Sequence, residues 1–259
     1  MASAVRFLIN HHAPMNPVSI VTVTHGSFFF VRLLVEKVRQ HIGSRPYEIL
    51  AVDRGSRDGT REWLAAQPDV RLFRKPQWTK RHSHGEAAEF GASKARYDIV
   101  VLLDSDAHPL DDTWLEHTAD RLNAHDRLAG AEFRDWHRAN PHGWFIHPFY
   151  MVFYKCDLGD NIVLRKLRGH DADTGEEATL RVLAAGKGVV ACTNSFYPAF
   201  DVGHPRVPTA AGGVFHAWYV TRLGLEPEGV ARETEGAVTV ENYLRPLQEK
   251  LRAAYGLTY

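Results

Sequence analysis

Two aspartates separated by one serine, Asp104-Ser105-Asp106, follow directly on the run Asp98 to Leu103 (DIVVLL). Carboxylates at i and i+2 just beyond a buried strand can face one cleft. Held close together they repel each other unless a cation lies between them. Mg2+ or Mn2+ answers this by taking one or two carboxylates together with the phosphates of a substrate. The tripeptide alone is explained equally well by an Asx turn with both acids in water.

A second segment, Val52 to Thr60 (VDRGSRDGT), also follows a strand-like run, Tyr47 to Asp53 (YEILAVD). A carboxylate at a strand end accepts hydrogen bonds from the N–H of a base or the hydroxyls of a ribose. That role is expected of Asp53. Ser56, Asp58 and Thr60 are expected to form a turn and cap the short helix that follows, with Gly55 and Gly59 allowing the tight backbone.

These acids need elements to hold them. Val18 to Thr24 (VSIVTVT) is β-branched and nearly all apolar or Thr, the pattern of a strand buried on both faces. Phe28 to Ile42 carries Val31, Leu34, Val35 and Val38 on one helical stripe, and Gly43 ends it. Arg61 to Ala66 reads as a short helix, Val70 to Phe73 as a strand, and Ser83 to Ala95 as a helix with Ser83 and Glu86 as capping box. Repeated strand–helix–strand units imply right-handed crossovers and a mostly parallel sheet. Asp53 and Asp104 then share the rim beyond the strands' carboxyl ends, where such sheets bind ligands.

The second half is less regular. Helices are expected over Thr113 to Asn123, Thr174 to Ala185 and Asn242 to Ala254, the last with Pro246 kinking its start. Strands are expected over Leu128 to Phe133, Phe149 to Tyr154 and Gly188 to Thr193, and loops over Arg134 to Pro148 and Asp201 to Gly213. One domain spanning 1–259 is expected, with a nucleotide half at 16–110 and an acceptor-binding and catalytic half at 111–259.

Composition sets the outer bounds. The 31 basic and 31 acidic side chains cancel, which argues against a partner held by a broad basic field, nucleic acid above all. Two cysteines, Cys156 and Cys192, at no zinc-type spacing argue against a disulfide framework or a thiolate metal site. No run is apolar enough to span a bilayer, and the first residues lack the apolar core of a signal peptide. A soluble cytoplasmic protein is expected, with peripheral membrane contact left open. The 15 histidines are unusual and fall at no zinc spacing.

The ordered segments VSIVTVTHGS, YEILAVDRGSRDGT and GEAAEFGASKARYDIVVLLDSDAHP make the stretch from Pro17 to Leu110 resemble the family 2 glycosyltransferases. The resemblance implies an α/β fold of the GT-A type, a Rossmann-like, mixed and mostly parallel sheet flanked by helices. It implies that Asp53 binds the nucleobase and that Thr24 and His25 lie near the nucleoside. It places the metal and the donor diphosphate on Asp104 and Asp106. His216, in GVFHAWYVTR, resembles the C-terminal histidine that completes this site in many GT-A enzymes, and His108 competes for the same position. Arg54 stands where the family usually has a second acid, and Glu89 where it usually has Asn. Arg54, Lys80 and Arg81 offer positive charge to a diphosphate, or are solvated surface.

Family members that invert the sugar carry an acidic pair before a helix reading D-L-x-x-R-x-x-x-x-G. In HDADTGEEATLRVLAAG, Arg181 and Gly186 fit its end and Glu177 takes the place of its Asp. A base must take the proton of the acceptor hydroxyl as the bond forms. Asp173 is the first candidate and Glu176 the second, while Thr174 and Glu177 fit a capping box. Trp136, Trp144 and Trp218 could stack on an acceptor sugar or simply fill the core.

The expectation is therefore a metal-dependent, inverting glycosyltransferase of hexosyltransferase type. Its donor is a nucleotide-diphosphate sugar, a UDP-sugar first, and its cofactor is Mn2+ or Mg2+. Its acceptor is a small molecule, a glycan or a lipid-linked sugar. The alternatives are a nucleotidyltransferase of the same fold and a non-catalytic nucleotide-sugar-binding module. A Rossmann dehydrogenase is disfavoured, because no GxGxxG follows the first strand.

Overall fold

A computed structural model describes residues 15–74, 84–134, 140–164, 174–203, 207–225, 227–234 and 238–259. The first half alternates as the apolar runs dictate: β1 (Val18–Thr24), α1 (Phe28–His41), β2 (Tyr47–Asp53), α2 (Thr60–Ala65), β3 (Val70–Arg74), α3 (His84–Ser93) and β4 (Ile99–Leu103). The second half contains β5 (Ala107–Pro109), β6 (Asp126–Phe133), β7 (Phe145–Tyr154), α4 (Glu176–Ala184), β8 (Gly188–Cys192), β9 (Ser195–Phe196), β10 (Thr209–Ala211) and β11 (Val214–His216). Helices α5 (Val220–Leu225), α6 (Pro227–Glu233) and α7 (Arg245–Tyr255) close the chain.

The main sheet has the order β3-β2-β1-β4-β7-β6-β8. Strands β1 to β4 are mutually parallel, β7 runs antiparallel to both β4 and β6, and β6 pairs with β8 in parallel. The mostly parallel α/β sheet expected from the sequence is what forms. Strand β1 is buried along its whole length, as its composition requires. Helix α3 packs against β1 and β2 at Gly91, where a Cβ would lie 2.6 Å from Val21 Cγ1 and 2.9 Å from Val52 Cγ2.

A second, four-stranded antiparallel sheet, β5-β11-β10-β9, stands at the rim of the first. It begins one residue after Asp106. Register pairs Ala107 with His216, and Ala217 N–H donates to the Asp106 carbonyl at 3.0 Å. A third apolar cluster joins this sheet to the C-terminal helices through Phe215, Phe200, Tyr243 and Leu247. No helix among the described residues is long and apolar enough to cross a membrane.

Several local expectations differ from the structure. Residues 113–118 form turns, and only Ala119–Arg121 is helical, as a 3-10 turn. The buried Tyr150 hydroxyl donates to the Trp114 carbonyl, the acceptor that an α-helix would give to Thr118 N–H, and lies 2.5 Å from Thr118 Oγ1. The apolar side chains of the segment are still buried, Trp114 and Ala119 among them. Strand β7 starts at Phe145, inside the expected loop, and β10 lies in the Pro/Gly stretch. The Thr174/Glu177 capping box is not made: Gly175 is the N-cap at φ 93°, and Glu177 accepts from Arg181 Nε at 2.7 Å, one turn along. Pro246 sits in the first turn of α7, where its missing N–H costs nothing. The proposed Ser83 cap falls outside the described residues.

Candidate functional site

The ends of β1, β2 and β4 form one rim, because the three strands are adjacent and parallel. The chain leaves β4 through a tight turn in which Ala107 N–H donates to the Asp104 carbonyl at 2.9 Å. Asp104 and Asp106, both in this turn, line a cleft at the rim. Strand β11 returns beside β5 and brings in His216. Its Nε2 lies 3.2 Å from Asp106 Oδ1 and 3.9 Å from Asp104 Oδ2. One ligand atom from each of Asp104, Asp106 and His216 lies within 4.8 Å of the others.

The His216 ring is fixed by packing. It stacks on Phe149 with centroids 4.3 Å apart and planes 17° apart, and Trp218 covers it at 4.3 Å. Its Nδ1 is buried with no hydrogen-bond partner among the described residues, and Nε2 makes the contacts with the two carboxylates. Two carboxylate oxygens and one imidazole nitrogen in a part-buried cluster suit a hard or borderline divalent ion such as Mg2+ or Mn2+. The residues therefore fit the metal that the sequence implied.

A cleft of about 300 Å³ opens over the cluster, lined also by Thr24, His25 and Arg54. His84 enters it from the first turn of α3 and places Nε2 3.1 Å from Asp104 Oδ1. Burial alone would raise the Asp104 carboxyl, but His84, His216 and His147 outweigh it and hold the group far below the usual carboxylate range. Burial would lower the His84 imidazole, and Asp104 reverses this and raises it.

Asp53 is positioned differently. It is 2% exposed, and its carboxylate accepts from Gly55 N–H at 3.1 Å, Ser56 N–H at 3.2 Å and Thr24 Oγ1 at 3.3 Å. Three of its roughly four acceptor positions are thereby used within the loop. Thr24 and His25, not Asp53, line the cleft, with His25 Nδ1 held 3.0 Å from the Arg54 carbonyl. Ser56 and Asp58 are structural, but not as the expected caps of α2, whose N-cap is Gly59 with no side-chain cap bond; both reach across to the turn before α1 and its first residue. Ser56 Oγ accepts from Gly26 N–H at 2.8 Å, and Asp58 accepts from Phe28 N–H at 2.9 Å and Thr60 N–H at 3.2 Å. One side chain thus caps the start of α1 from another loop.

Glu176 is buried at the start of α4, accepts from Asn140 Nδ2 at 3.0 Å and does not line the cleft. Asp173, Arg81, Lys80 and Trp136 lie outside the described residues. His108 points away from the cluster, its Nε2 3.1 Å from Tyr255 Oη, so His216 takes the position for which both competed. Trp144 packs against the core, and Trp218 lines the cleft. Reading the sequence missed His84 and His147. The signal for His84 was topological: a helix that follows a parallel strand begins on the ligand-bearing rim, and His84 is the first residue of such a helix, whereas His147, inside β7, had none. Four of the histidines, His25, His84, His147 and His216, line this one cleft.

Residues 19–173 match the sequence profile of glycosyl transferase family 2, more than half of the chain. The chain belongs to that family. No curated protein sequence matches it significantly. Among solved structures, the mannosyltransferase PcManGT from Pyrobaculum calidifontis, in complex with GDP-Man and Mn2+, is 16% identical with a TM-score of 0.54, over 93% of this chain and 76% of that one. TarS 1–349 from S. aureus is 13% identical with a TM-score of 0.50, over 93% and 72%. GalNAc-T7 with UDP, GalNAc and Mn2+ is 13% identical with a TM-score of 0.51, over 68% of this chain and 42% of that one. At these identities the likeness establishes the fold, which is that of GT-A glycosyltransferases.

Proposed function

We propose that the cleft binds a nucleotide-diphosphate sugar with Mn2+ or Mg2+ and that the chain transfers the sugar to an acceptor hydroxyl. The observation that carries this is the convergence of Asp104, Asp106 and His216 at the end of β4, in a cleft shared with Thr24, His25 and Arg54. Two structures of the same fold, PcManGT and GalNAc-T7, were solved with Mn2+ and a nucleotide or nucleotide sugar, which supports the reading.

Asp104, Asp106 and His216 would hold the metal, which when bound neutralises the leaving diphosphate. Thr24 and His25 contact the nucleoside, and Asp53, buried behind them, supports the base by ordering the loop through Thr24, Gly55 and Ser56. In the reaction the acceptor oxygen bonds to the anomeric carbon and the bond from that carbon to the diphosphate oxygen breaks. The diphosphate leaves with the electron pair, and the hydroxyl proton passes to a base, for which Asp173 is the proposed residue. Glu176 serves α4 and Asn140 instead. An inverting, hexose-transferring reaction with a UDP-sugar is the first form to test.

The test is thermal unfolding with UDP-, GDP- and dTDP-sugars, with and without Mn2+. A ligand at a hundredfold excess over Kd raises the midpoint of a chain this size by roughly 5–10 °C. The expected result is a Mn2+-dependent rise with at least one donor, lost in Asp106→Asn. No rise with any donor overturns the proposal. A rise without donor turnover on any acceptor would favour the non-catalytic binding module.

A further inference from the structure

A second cleft, about 510 Å³, adjoins the first across Trp218 and Tyr219, which line both. Its other walls come from the end of β6 (Phe133), from Thr193 to Phe196 around the start of β9, and from Thr209 on β10. We infer that this cleft is the acceptor subsite and that its ligand is a neutral saccharide. The inference rests on the transferase reading, since a transferred sugar needs an acceptor beside the donor.

Three observations argue for it. The first is the dividing wall. Trp218 and Tyr219 both hold left-handed backbone, φ 60° and 59°, although neither is glycine. Such residues cost about 1–3 kcal/mol each and persist only where the surroundings impose them, mostly at functional sites. Here Trp218 Nε1 donates to Thr209 Oγ1 at 2.7 Å, and the Tyr243 hydroxyl donates to the Ala217 carbonyl just before it. The aromatic wall is therefore fixed beside His216, with the metal cluster on one side and the second cleft on the other.

The second observation is the chemistry of the lining. Flat rings from Phe133, Phe196, Trp218 and Tyr219 stand beside the small polar groups of Thr193, Asn194 and Ser195. Asn194 Oδ1 is buried with no hydrogen-bond partner among the described residues. The charged pair at the edge, Glu132 and Arg134, is bonded to itself, so the described residues of the lining carry no net charge. Apolar faces with a few convergent amide and hydroxyl groups match a sugar ring, which has a C–H face and a hydroxyl edge.

The third observation separates a saccharide from a lipid. Among the described residues Met15 is the only large apolar side chain that is exposed. Among the described residues, no exposed large apolar side chain borders the cleft to hold an acyl chain.

The test uses the full chain labelled with 15N, with and without Mn2+ and the nucleotide that raises its unfolding midpoint. The probes are maltose, cellobiose, lactose, chitobiose and mannobiose, with decyl phosphate as the apolar comparison. Expected are shifts of the Asn194 side-chain amide and the Phe196 and Tyr219 backbone amides with at least one disaccharide. That disaccharide should bind at least tenfold more weakly to Asn194→Leu and Phe196→Ala whose unfolding midpoints match wild type. Disaccharide shifts confined to other residues overturn the inference, as does binding of decyl phosphate alone, or no binding at all. The mapping on wild-type protein decides the matter even where a variant does not fold. The nucleotide arm stands apart: a protein that binds nucleotide and Mn2+ but no saccharide retains the donor reading and loses this one.

Discussion

His84 Nε2 lies 3.1 Å from one oxygen of Asp104, and His216 Nε2 lies 3.9 Å from the other. The carboxylate is held between two imidazoles from different elements, one at the start of α3 and one at the end of β11. His84 thereby fixes the orientation of Asp104 and leaves Oδ2 to the cluster with Asp106 and His216. Partners of this kind, behind a metal ligand, are typically worth 10–100-fold in metal affinity. His84→Ala is expected to weaken Mn2+ binding in the presence of nucleotide by that factor, and His84→Asn to recover part of it. Titration of Mn2+ followed by its electron paramagnetic signal measures this. An unchanged Mn2+ affinity in His84→Ala would remove the role assigned to His84.

Away from the cleft, Glu48 joins four segments of the sheet. Its buried carboxylate accepts from Ser19 Oγ at 2.7 Å, from Arg71 Nη1 at 2.6 Å and from Arg96 N–H at 2.6 Å, tying β1, β2, β3 and the turn before β4 together. Burial alone would raise this carboxyl, but the three bonds outweigh it and hold it below its ordinary value. A carboxyl depressed in the folded state stabilises above its unfolded value, near pH 4.5, and the contribution is lost as pH falls through the folded value. Glu48→Gln is expected to cost about 1.5–3 kcal/mol at pH 7, the range for bonds to charged groups. It should also flatten the acid limb of the stability profile in urea unfolding below pH 4.5. An acid limb identical to wild type would contradict this.

Gly91 tests how closely α3 must approach the sheet. Alanine is the better helix former by about 1 kcal/mol. Its Cβ, however, would meet Val21 Cγ1 at 2.6 Å and Val52 Cγ2 at 2.9 Å, on two adjacent buried strands. Neither valine can swing aside in a close-packed core, and overpacking of this kind costs about 1–3 kcal/mol. Gly91→Ala is therefore expected to be net destabilising in denaturant unfolding, and adding Val21→Ala should return part of the loss. A stabilised Gly91→Ala would show that the helix can lift without penalty.

What the sequence revealed depended on whether local pattern or distant contact decides each segment. Val18 to Thr24 and Asp98 to Leu103 were legible because a strand buried on both faces admits few polar residues, and both strands are so buried. The rim position of Asp104 and Asp106 followed from that. Thr113 to Asn123 has a helical period, but the Tyr150 hydroxyl from β7 takes the carbonyl that the helix needs. No reading of the segment alone contains that bond. The convergence of His216 on Asp106 depends on the pairing of β5 with β11, more than a hundred residues apart in the chain. The family resemblance anticipated it where periodicity could not. Asp53 shows the opposite limit, since its strand-end position was evident while the turn that uses most of its carboxylate was not.

His216 allows packing and ligation to be separated. Its ring lies parallel to Phe149 at 4.3 Å and is covered by Trp218, and only Nε2 reaches the carboxylates. Phenylalanine keeps a flat ring in that stack and removes the nitrogen. His216→Phe also removes the buried Nδ1, which has no partner among the described residues. It leaves Asp106 without its 3.2 Å contact, on a group that stays 7% exposed. The two effects oppose each other, so the unfolding midpoint without metal is expected to stay within about 1 kcal/mol of wild type, as for substitutions that conserve packed volume. The Mn2+-dependent rise with nucleotide sugar should be lost, because two carboxylates alone leave the cluster one ligand short. A variant that unfolds without metal would assign His216 to the core. A variant that keeps the full Mn2+ response would place the ion on other residues.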